Sequence, residues 1–220
     1  HMLQYTKDAS LAGVDIPFGV VEVSYPEPEL WRREEFYALA ANELAAARKA
    51  AEPYERKAVF GENPYFRFFK KFKKTFPIVL QFESAVMRGA GIPGENPVTD
   101  VPYLLELTSH VLSGTHDIDH IVGGVELYLS SERTDFPGMR GFEVHTYPGD
   151  FCARDGEGII FSEIAGADGR TFARPESRRV FYPIFGTPGL PVEVIERAIN
   201  SLRRYVGTLA PEAVFESEIL

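Results

Sequence analysis

The chain has 220 residues, of which 45% are hydrophobic and 25% are charged, proportions that are typical of a globular protein. They exclude a collagen-like, disordered or purely coiled-coil chain, and a chain of this length buries enough surface to fold without disulfides or a structural metal. The 32 acidic residues outnumber the 23 lysines and arginines, which gives a net charge of −9. This charge argues against a protein that coats nucleic acids generally, because such binding depends on lysine and arginine side chains that neutralise phosphates. The single Cys152 cannot form an internal disulfide, and no apolar run approaches the roughly 20 residues that span a bilayer. We therefore expect a cytoplasmic protein with no membrane partner.

The first half of the chain is mainly helical in its pattern. Residues 16–25 alternate as a strand does, and residues 29–51 combine Ala, Glu, Leu and Arg with apolar residues at helical spacing. The second segment predicts a long helix, since these residue types have high helix propensity. The further helices predicted before residue 120 cover residues 64–74, 80–89 and 101–113.

After residue 120 the pattern changes to short runs rich in Val, Ile, Phe and Tyr, bounded by Gly, Pro and Asp, which predict strands. These runs cover residues 122–130, 141–148, 156–164 and 178–185. A last helix is predicted over 191–206, where apolar residues recur on one face. Helices, then strands, then a closing helix predict an α+β fold in which N-terminal helices pack on a mostly antiparallel sheet. We expect one domain over residues 1–220.

Residues 114–120, GTHDIDH, concentrate titratable side chains just before a predicted strand. Three interpretations are open: a metal site, a polar connection with capping Asp residues, or part of a ligand pocket. In an extended chain His116 would point away from Asp117 and Asp119. The sequence has no second cluster of metal-ligating residue types that could complete a metal site with this segment. We therefore expect no metal and no cofactor. The familiar motifs of dinucleotide-binding proteins, P-loop enzymes, zincins and α/β hydrolases are absent from the sequence.

A group of positive charges stands out in this acidic chain, and we call it the basic cluster. It consists of Arg67, Lys70, Lys71, Lys73 and Lys74. The phenylalanines between them share a stripe on a helix, so the cations face water. The cluster is either a solvated helix face or a surface that contacts phosphates, as a local excess of positive charge can.

Several acidic residues fall at element ends or in apolar surroundings: Glu83, Glu106, Asp117, Asp119 and Glu163. Most acidic side chains are solvated, but Glu163 follows a strand that is predicted to be buried. A carboxylate there needs a partner, either an arginine of this chain or a cationic ligand.

The order of these segments resembles the B3/B4 domain, the editing module of the bacterial phenylalanyl-tRNA synthetase β subunit, in a freestanding form. The residues that carry the resemblance are NPYFRFFKKF (63–72), FESAVMRG (82–89), ELTSHVLSGTHDIDHIVGGVEL (106–127), EGIIFSE (157–163) and SRRVFYPIFGT (177–187). The resemblance covers about residues 60–210, with the strand and long helix of 16–51 in front of it. Thr108-Ser109 stands where the family has Thr-Asn, and His116 stands where it has a pocket His.

The resemblance implies hydrolysis of a wrongly charged aminoacyl-tRNA in trans, with tRNA as the partner. It implies that His116 orients or deprotonates a water while Thr108 and Ser109 hold the substrate. Freestanding relatives include one that clears canavanyl-tRNA(Arg), whose side chain mimics arginine; for such a side chain we expect Glu83, Asp117 and Glu163 as the binding carboxylates. We expect Arg67, Lys70, Lys71 and Lys74 to bind tRNA.

Other functions stay open at this point. They are editing of tyrosyl-tRNA(Phe) or of another non-cognate amino acid, a non-catalytic module that binds tRNA or a small ligand, and a purely structural partner domain. The sequence leaves the oligomeric state undecided.

Overall fold

Six α-helices occur in residues 2–220, the part of the chain that this computed structural model describes. They are α1 (Arg33–Ala51), α2 (Arg56–Phe60), α3 (Pro64–Lys71), α4 (Pro77–Phe82), α5 (Pro97–Ser109) and α6 (Val192–Leu209). A π-helical turn, Glu83–Met87, directly follows α4. Within the described residues, no helix is both long enough and apolar enough to cross a membrane.

The ends of the helices follow local chemistry. The long helix begins at Arg33 rather than at residue 29, because Pro28–Leu30 form a separate 3₁₀ turn. Asn63 caps α3: its side-chain oxygen accepts a hydrogen bond from the amide of Tyr65 at 2.8 Å. The helix predicted over 101–113 begins earlier, at Pro97, and ends at Ser109, since His110 adopts a left-handed conformation with φ of 58°.

The strands are short, and there are eleven of them in residues 2–220. In chain order they are β1 (Tyr5–Lys7), β2 (Gly19–Ser24), β3 (His116–Asp117), β4 (Val125–Leu129), β5 (Asp135–Pro137), β6 (Glu143–His145), β7 (Phe151–Arg154), β8 (Ile159–Ser162), β9 (Gly166–Ala167), β10 (Arg179–Ile184) and β11 (Val214–Ile219). They form a sheet of order β1-β4-β7-β8-β9, a second of order β11-β2-β10-β3, and the hairpin β5-β6. Every pair is antiparallel except β1 with β4, so the α+β, mostly antiparallel fold is confirmed.

An aromatic core joins the two larger sheets. The ring of Phe18 lies 5.5 Å from Phe151 of β7 and 5.9 Å from Phe161 of β8, and Phe161 lies 4.8 Å from Phe185, which follows β10. Helix α6 buries one apolar face against β2 and β10 and also contacts α1 and α5. Strands β1, β2 and β11 lie outside residues 60–210, so the sheets extend beyond the segment that carries the resemblance.

Candidate functional site

A cleft of about 590 Å³ lies where α5, β3, the turn after β8 and the β5–β6 hairpin meet. This volume falls within the range of sites for small ligands. The lining of the cleft includes polar, charged and aromatic side chains: Gln81, Glu106, His116, Arg140, Phe142 and Glu163. They come from five separate stretches of the chain, so only the folded structure brings them together.

Helix α5 forms one wall of the cleft through Thr99, Pro102, Tyr103 and Glu106, which recur every three or four residues and so share a helix face. Pro102 lies inside this helix and has no N–H to donate to the carbonyl of Val98. The hydroxyl of Tyr182 donates to that carbonyl instead, at 2.7 Å. This bond ties the cleft wall to β10.

Glu163 is the most unusual group of the cleft. Its side chain is buried, and neither carboxyl oxygen has a hydrogen-bond partner within residues 2–220. Burial, together with the nearby charge of Asp150, raises the pKa of Glu163 well above its usual value. The side-chain oxygen of Gln81, which also lines the cleft, is buried and without a partner as well. Buried acceptors of this kind are costly unless a ligand supplies donors.

Glu106 adds a second carboxyl to the same cleft. One of its oxygens accepts a hydrogen bond from the amide of Ser113 at 3.0 Å. Burial outweighs this bond and raises the pKa of Glu106 to about 8. Burial thus favours the protonated form of both carboxyl groups of the cleft.

His116 lies in β3 between the rings of Phe161 and Phe181, with centroid distances of 5.8 and 5.7 Å. Thr171 donates its hydroxyl hydrogen to Asp168 at 2.5 Å, so its oxygen accepts the Nδ1 hydrogen of His116 at 2.8 Å. This arrangement leaves Nε2 as the unprotonated ring nitrogen. Nε2 lies near Gly114, another residue of the cleft lining: a Cβ added to Gly114 would lie 3.9 Å from it. Burial lowers the pKa of His116 to about 3, so the imidazole is neutral.

The structure does not bring Thr108 and Ser109 to the cleft. Two residues beyond Glu106 on an α-helix correspond to a rotation of about 200°, which turns Thr108 to the opposite side. There its hydroxyl bonds to the carbonyl of Leu104 at 2.8 Å and lies 2.9 Å from the Tyr205 hydroxyl. Ser109 bonds to a helix carbonyl too and lines a separate cavity of about 430 Å³. The expectation that both residues share a pocket with His116 is not met.

Two of the three expected substrate-binding carboxylates also lie outside the cleft lining. Glu83 accepts hydrogen bonds from Arg56 at 2.7 and 2.9 Å and from Tyr54 at 2.6 Å, and the Arg56 bond is the main cause that lowers the pKa of Glu83 to about 2. Asp117 caps the 3₁₀ turn that follows β3, since its side chain accepts from the amide of Asp119 at 2.9 Å. Both carboxylates therefore have structural partners, and only Glu163 faces the cleft.

The basic cluster is exposed at the C-terminal end of α3 and just after it. Lys70 lies over the ring of Phe66 at 4.6 Å, and Lys74 lies 5.9 Å from the ring of Tyr147, two residues beyond β6. Arg67 pairs with Glu62. The cluster thus keeps most of its charge on the surface and borders the base of the β5–β6 hairpin.

Gln81, Arg140 and Phe142 line the cleft but were not predicted from the sequence, and Glu106 was given no role there. Glu106 carried a signal, because it interrupts the apolar run of α5, where a charged residue is rarely buried without a purpose. Within the described residues, no group of three or more His, Cys, Asp or Glu side chains is arranged to hold a metal ion.

The fold is similar to that of a solved structure, an N-terminal fragment of the phenylalanyl-tRNA synthetase β subunit from Pyrococcus horikoshii. The match has a TM-score of 0.50 at 11% sequence identity and covers 98% of this chain and 50% of the fragment. The chain therefore spans about half the length of that fragment. No protein-family model and no curated protein matches the chain. At this identity the likeness concerns the fold: the chain has a fold related to that of a fragment of a tRNA synthetase β subunit.

Proposed function

We propose that this protein hydrolyses mischarged aminoacyl-tRNA in trans, releasing the amino acid and free tRNA. The observation that carries the proposal is the cleft, whose lining includes both His116 and Glu163, a carboxyl group without a hydrogen-bond partner among residues 2–220. The related fold of a tRNA synthetase fragment and the exposed basic cluster support a tRNA partner.

The reaction needs little from the protein beyond positioning. A water attacks the ester carbonyl carbon, the bond to the ribose oxygen breaks, and that oxygen takes up a proton as it leaves. Because the pKa of His116 is about 3, its imidazole is a weak base, and we assign to it the orientation of the water through Nε2. Thr171 and Asp168 position the ring through Nδ1. Such positioning by itself accounts for large accelerations of an activated acyl group.

The same cleft indicates the kind of amino acid that is removed. Gln81 and the ionised form of Glu163 present three acceptor oxygens that have no partner among residues 2–220, and a guanidinium-like group brings several N–H donors in one plane. Its positive charge also offsets the cost of an ionised buried carboxylate. Among the esters with such a side chain, canavanyl-tRNA(Arg) is the candidate substrate because the resemblance to the editing module implies it. Tyrosyl-tRNA(Phe) is the weaker candidate, since a phenol supplies one hydroxyl hydrogen.

A deacylation assay tests this function on a panel of charged tRNAs: canavanyl-tRNA(Arg), arginyl-tRNA(Arg), tyrosyl-tRNA(Phe) and alanyl-tRNA(Ala). In alanyl-tRNA(Ala) the α-ammonium group is the only positive charge of the amino acid, so this substrate is the control for a charge that does not come from the side chain. We expect the canavanyl ester to be cleaved fastest. The proposal fails if the folded protein releases no amino acid faster than buffer does.

Two variants separate the roles in this assay. His116→Ala is expected to lower kcat by roughly 10²-fold with little change in tRNA affinity. Glu163→Gln is expected to reduce kcat/KM for the cationic substrates by about 30-fold and to spare alanyl-tRNA(Ala), because a neutral amide cannot pair with the guanidinium charge. Full activity of His116→Ala would refute the water-orienting role, and an unchanged preference of Glu163→Gln would refute the cation pocket.

A non-catalytic binding module of the same fold is the second candidate. The observation in its favour is that the hydroxyls of Thr108 and Ser109 bond to helix carbonyls away from the cleft. Such a module would bind the charged tRNA and leave its ester intact, which the same assay detects.

A further inference from the structure

The mouth of the cleft carries an exposed apolar and cationic surface that the proposed reaction does not use. The loop between β5 and β6 contributes Met139, Arg140 and Phe142 to the cleft lining, and we call these three residues the rim. Phe142 is 60% exposed and Met139 43% exposed, unusual values for large apolar side chains. Among residues 2–220, Arg140 forms no ion pair.

The rim is held by backbone contacts. The amide of Gly138 donates to the carbonyl of Phe142 at 3.0 Å, which closes the hairpin loop, and the amide of Met139 donates to Ala167 of β9 at 3.1 Å. Gly169 approaches Gly138 so closely that a Cβ on Gly169 would lie 2.9 Å from the Gly138 carbonyl oxygen. The loop is thus fastened to the segment that contains Asp168, which positions His116 through Thr171.

We propose that the rim binds the 3′-terminal adenosine of the acylated RNA, with Phe142 stacking on the base and Arg140 contacting the adjoining phosphate. This inference rests on the proposed function. An aminoacyl ester is attached directly to the ribose of the terminal nucleotide. When the side chain of the substrate's amino acid contacts Glu163 and its ester lies beside His116, the terminal nucleotide therefore lies at the mouth of the cleft. An exposed aromatic ring stacks on any base, and a free guanidinium suits a phosphate.

The β5–β6 hairpin connects the rim with the basic cluster. Tyr147 follows Phe142 by five positions, a reach of at most about 17 Å in extended chain, and Lys74 lies 5.9 Å from the Tyr147 ring. The hairpin thus joins the basic cluster at its base to the rim at its tip. This arrangement matches an RNA strand whose 3′ end enters the cleft while its upstream phosphates pass the lysines.

Binding of a non-hydrolysable probe tests the rim without relying on catalysis. The probe is 3′-aminoacylamino-3′-deoxyadenosine 5′-phosphate carrying canavanine, compared with canavanine amide, which lacks the nucleotide. We expect Phe142→Ala to weaken binding of the nucleotide probe about 5-fold or more and to leave the amide unchanged. Arg140→Gln is expected to weaken binding of the nucleotide probe about 5-fold or more and to make the remaining binding less dependent on salt, because one charge-assisted contact to the phosphate is lost.

Leu80→Ala is the matched control, because Leu80 is 54% exposed and lies outside the cleft lining. Equal binding of the nucleotide probe to Phe142→Ala and to wild type would overturn the proposal. So would a change in oligomeric state caused by Phe142→Ala, which would assign the rim to contacts between copies of this chain. If the probe binds through the rim but no charged tRNA is cleaved, the proposed function fails and the nucleotide site stands.

Discussion

Replacing Glu106 with glutamine tests whether the cleft contains a protonated carboxyl group. Burial raises the pKa of Glu106 from 4.5 to about 8 in the folded protein, so the folded state keeps a proton that the unfolded chain releases as the pH rises above 4.5. The free energy of unfolding therefore falls as the pH increases from about 4.5 to about 8. Above that range Glu106 causes no further decrease. At about 1.4 kcal/mol per pKa unit, the loss amounts to at most about 5 kcal/mol.

Glutamine resembles the protonated acid in shape, and its oxygen can still accept the hydrogen bond from the Ser113 amide. We expect Glu106→Gln to be about as stable as wild type at pH 4.5 and more stable by a few kcal/mol at pH 8.5. Urea unfolding followed by circular dichroism at pH 4.5, 6.5 and 8.5 measures this difference.

Glu83→Gln is the control with the opposite sign. The bonds from Arg56 and Tyr54 keep the pKa of Glu83 at about 2, so this carboxylate contributes stability that is present above pH 4.5 and lost as the pH falls toward 2. Glu83→Gln is thus expected to destabilise the protein at neutral pH. A stability difference between Glu106→Gln and wild type that stays constant with pH, or a variant less stable at pH 8.5, would refute the reasoning for Glu106.

Three further predictions concern tRNA contact, the geometry of the imidazole and a hydroxyl group outside the cleft. Replacing Lys70, Lys71 and Lys74 together by Glu should weaken tRNA binding strongly and reduce the salt slope by about one unit per lost contact; unchanged binding would leave these lysines as a solvated helix face. Thr171→Val removes the acceptor for the Nδ1 hydrogen and should lower kcat by up to about 10²-fold with KM unchanged, whereas Thr171→Ser restores activity. Thr108→Val, which changes a residue outside the cleft, should keep kcat within about twofold of wild type, and a large loss would return that hydroxyl to the reaction.

The sequence predicted the regular elements best where periodicity was long. The helix predicted over 191–206 corresponds to α6, and the strand predicted over 16–25 includes β2. Short strands were missed along the whole chain: β1, β3, β5, β7, β9 and β11. Strands of two to six residues carry too few alternations to stand out, and their partners decide whether they form.

The structure brings two of the expected site residues to the cleft. His116 and Glu163 line the cleft as expected of pocket residues, while the other four expected catalytic or substrate-binding residues lie elsewhere. For Thr108 the reason is the phase of a helix, because a face cannot be assigned until the neighbours of that helix are known. Ser109 is the last residue of α5, where its hydroxyl bonds to the carbonyl of Leu105 and the residue lines the second cavity. For Glu83 and Asp117 the reason is a partner distant in sequence: Glu83 pairs with Arg56, and Asp117 accepts a hydrogen bond from Ser177 at 2.5 Å.

The sequence by itself determined the α+β class, the long helices and the excess of positive charge after Pro64, since these depend on local propensity, periodicity and composition. Only the tertiary structure decided which carboxyl groups have partners and which face an open cleft. Glu163 and Glu83 are the same residue type, yet within residues 2–220 Glu163 is buried without a hydrogen-bond partner and Glu83 is paired with an arginine. That difference arises from burial and from contacts between residues far apart in the chain, which set the pKa of each group and are established only when the sheets and helices pack.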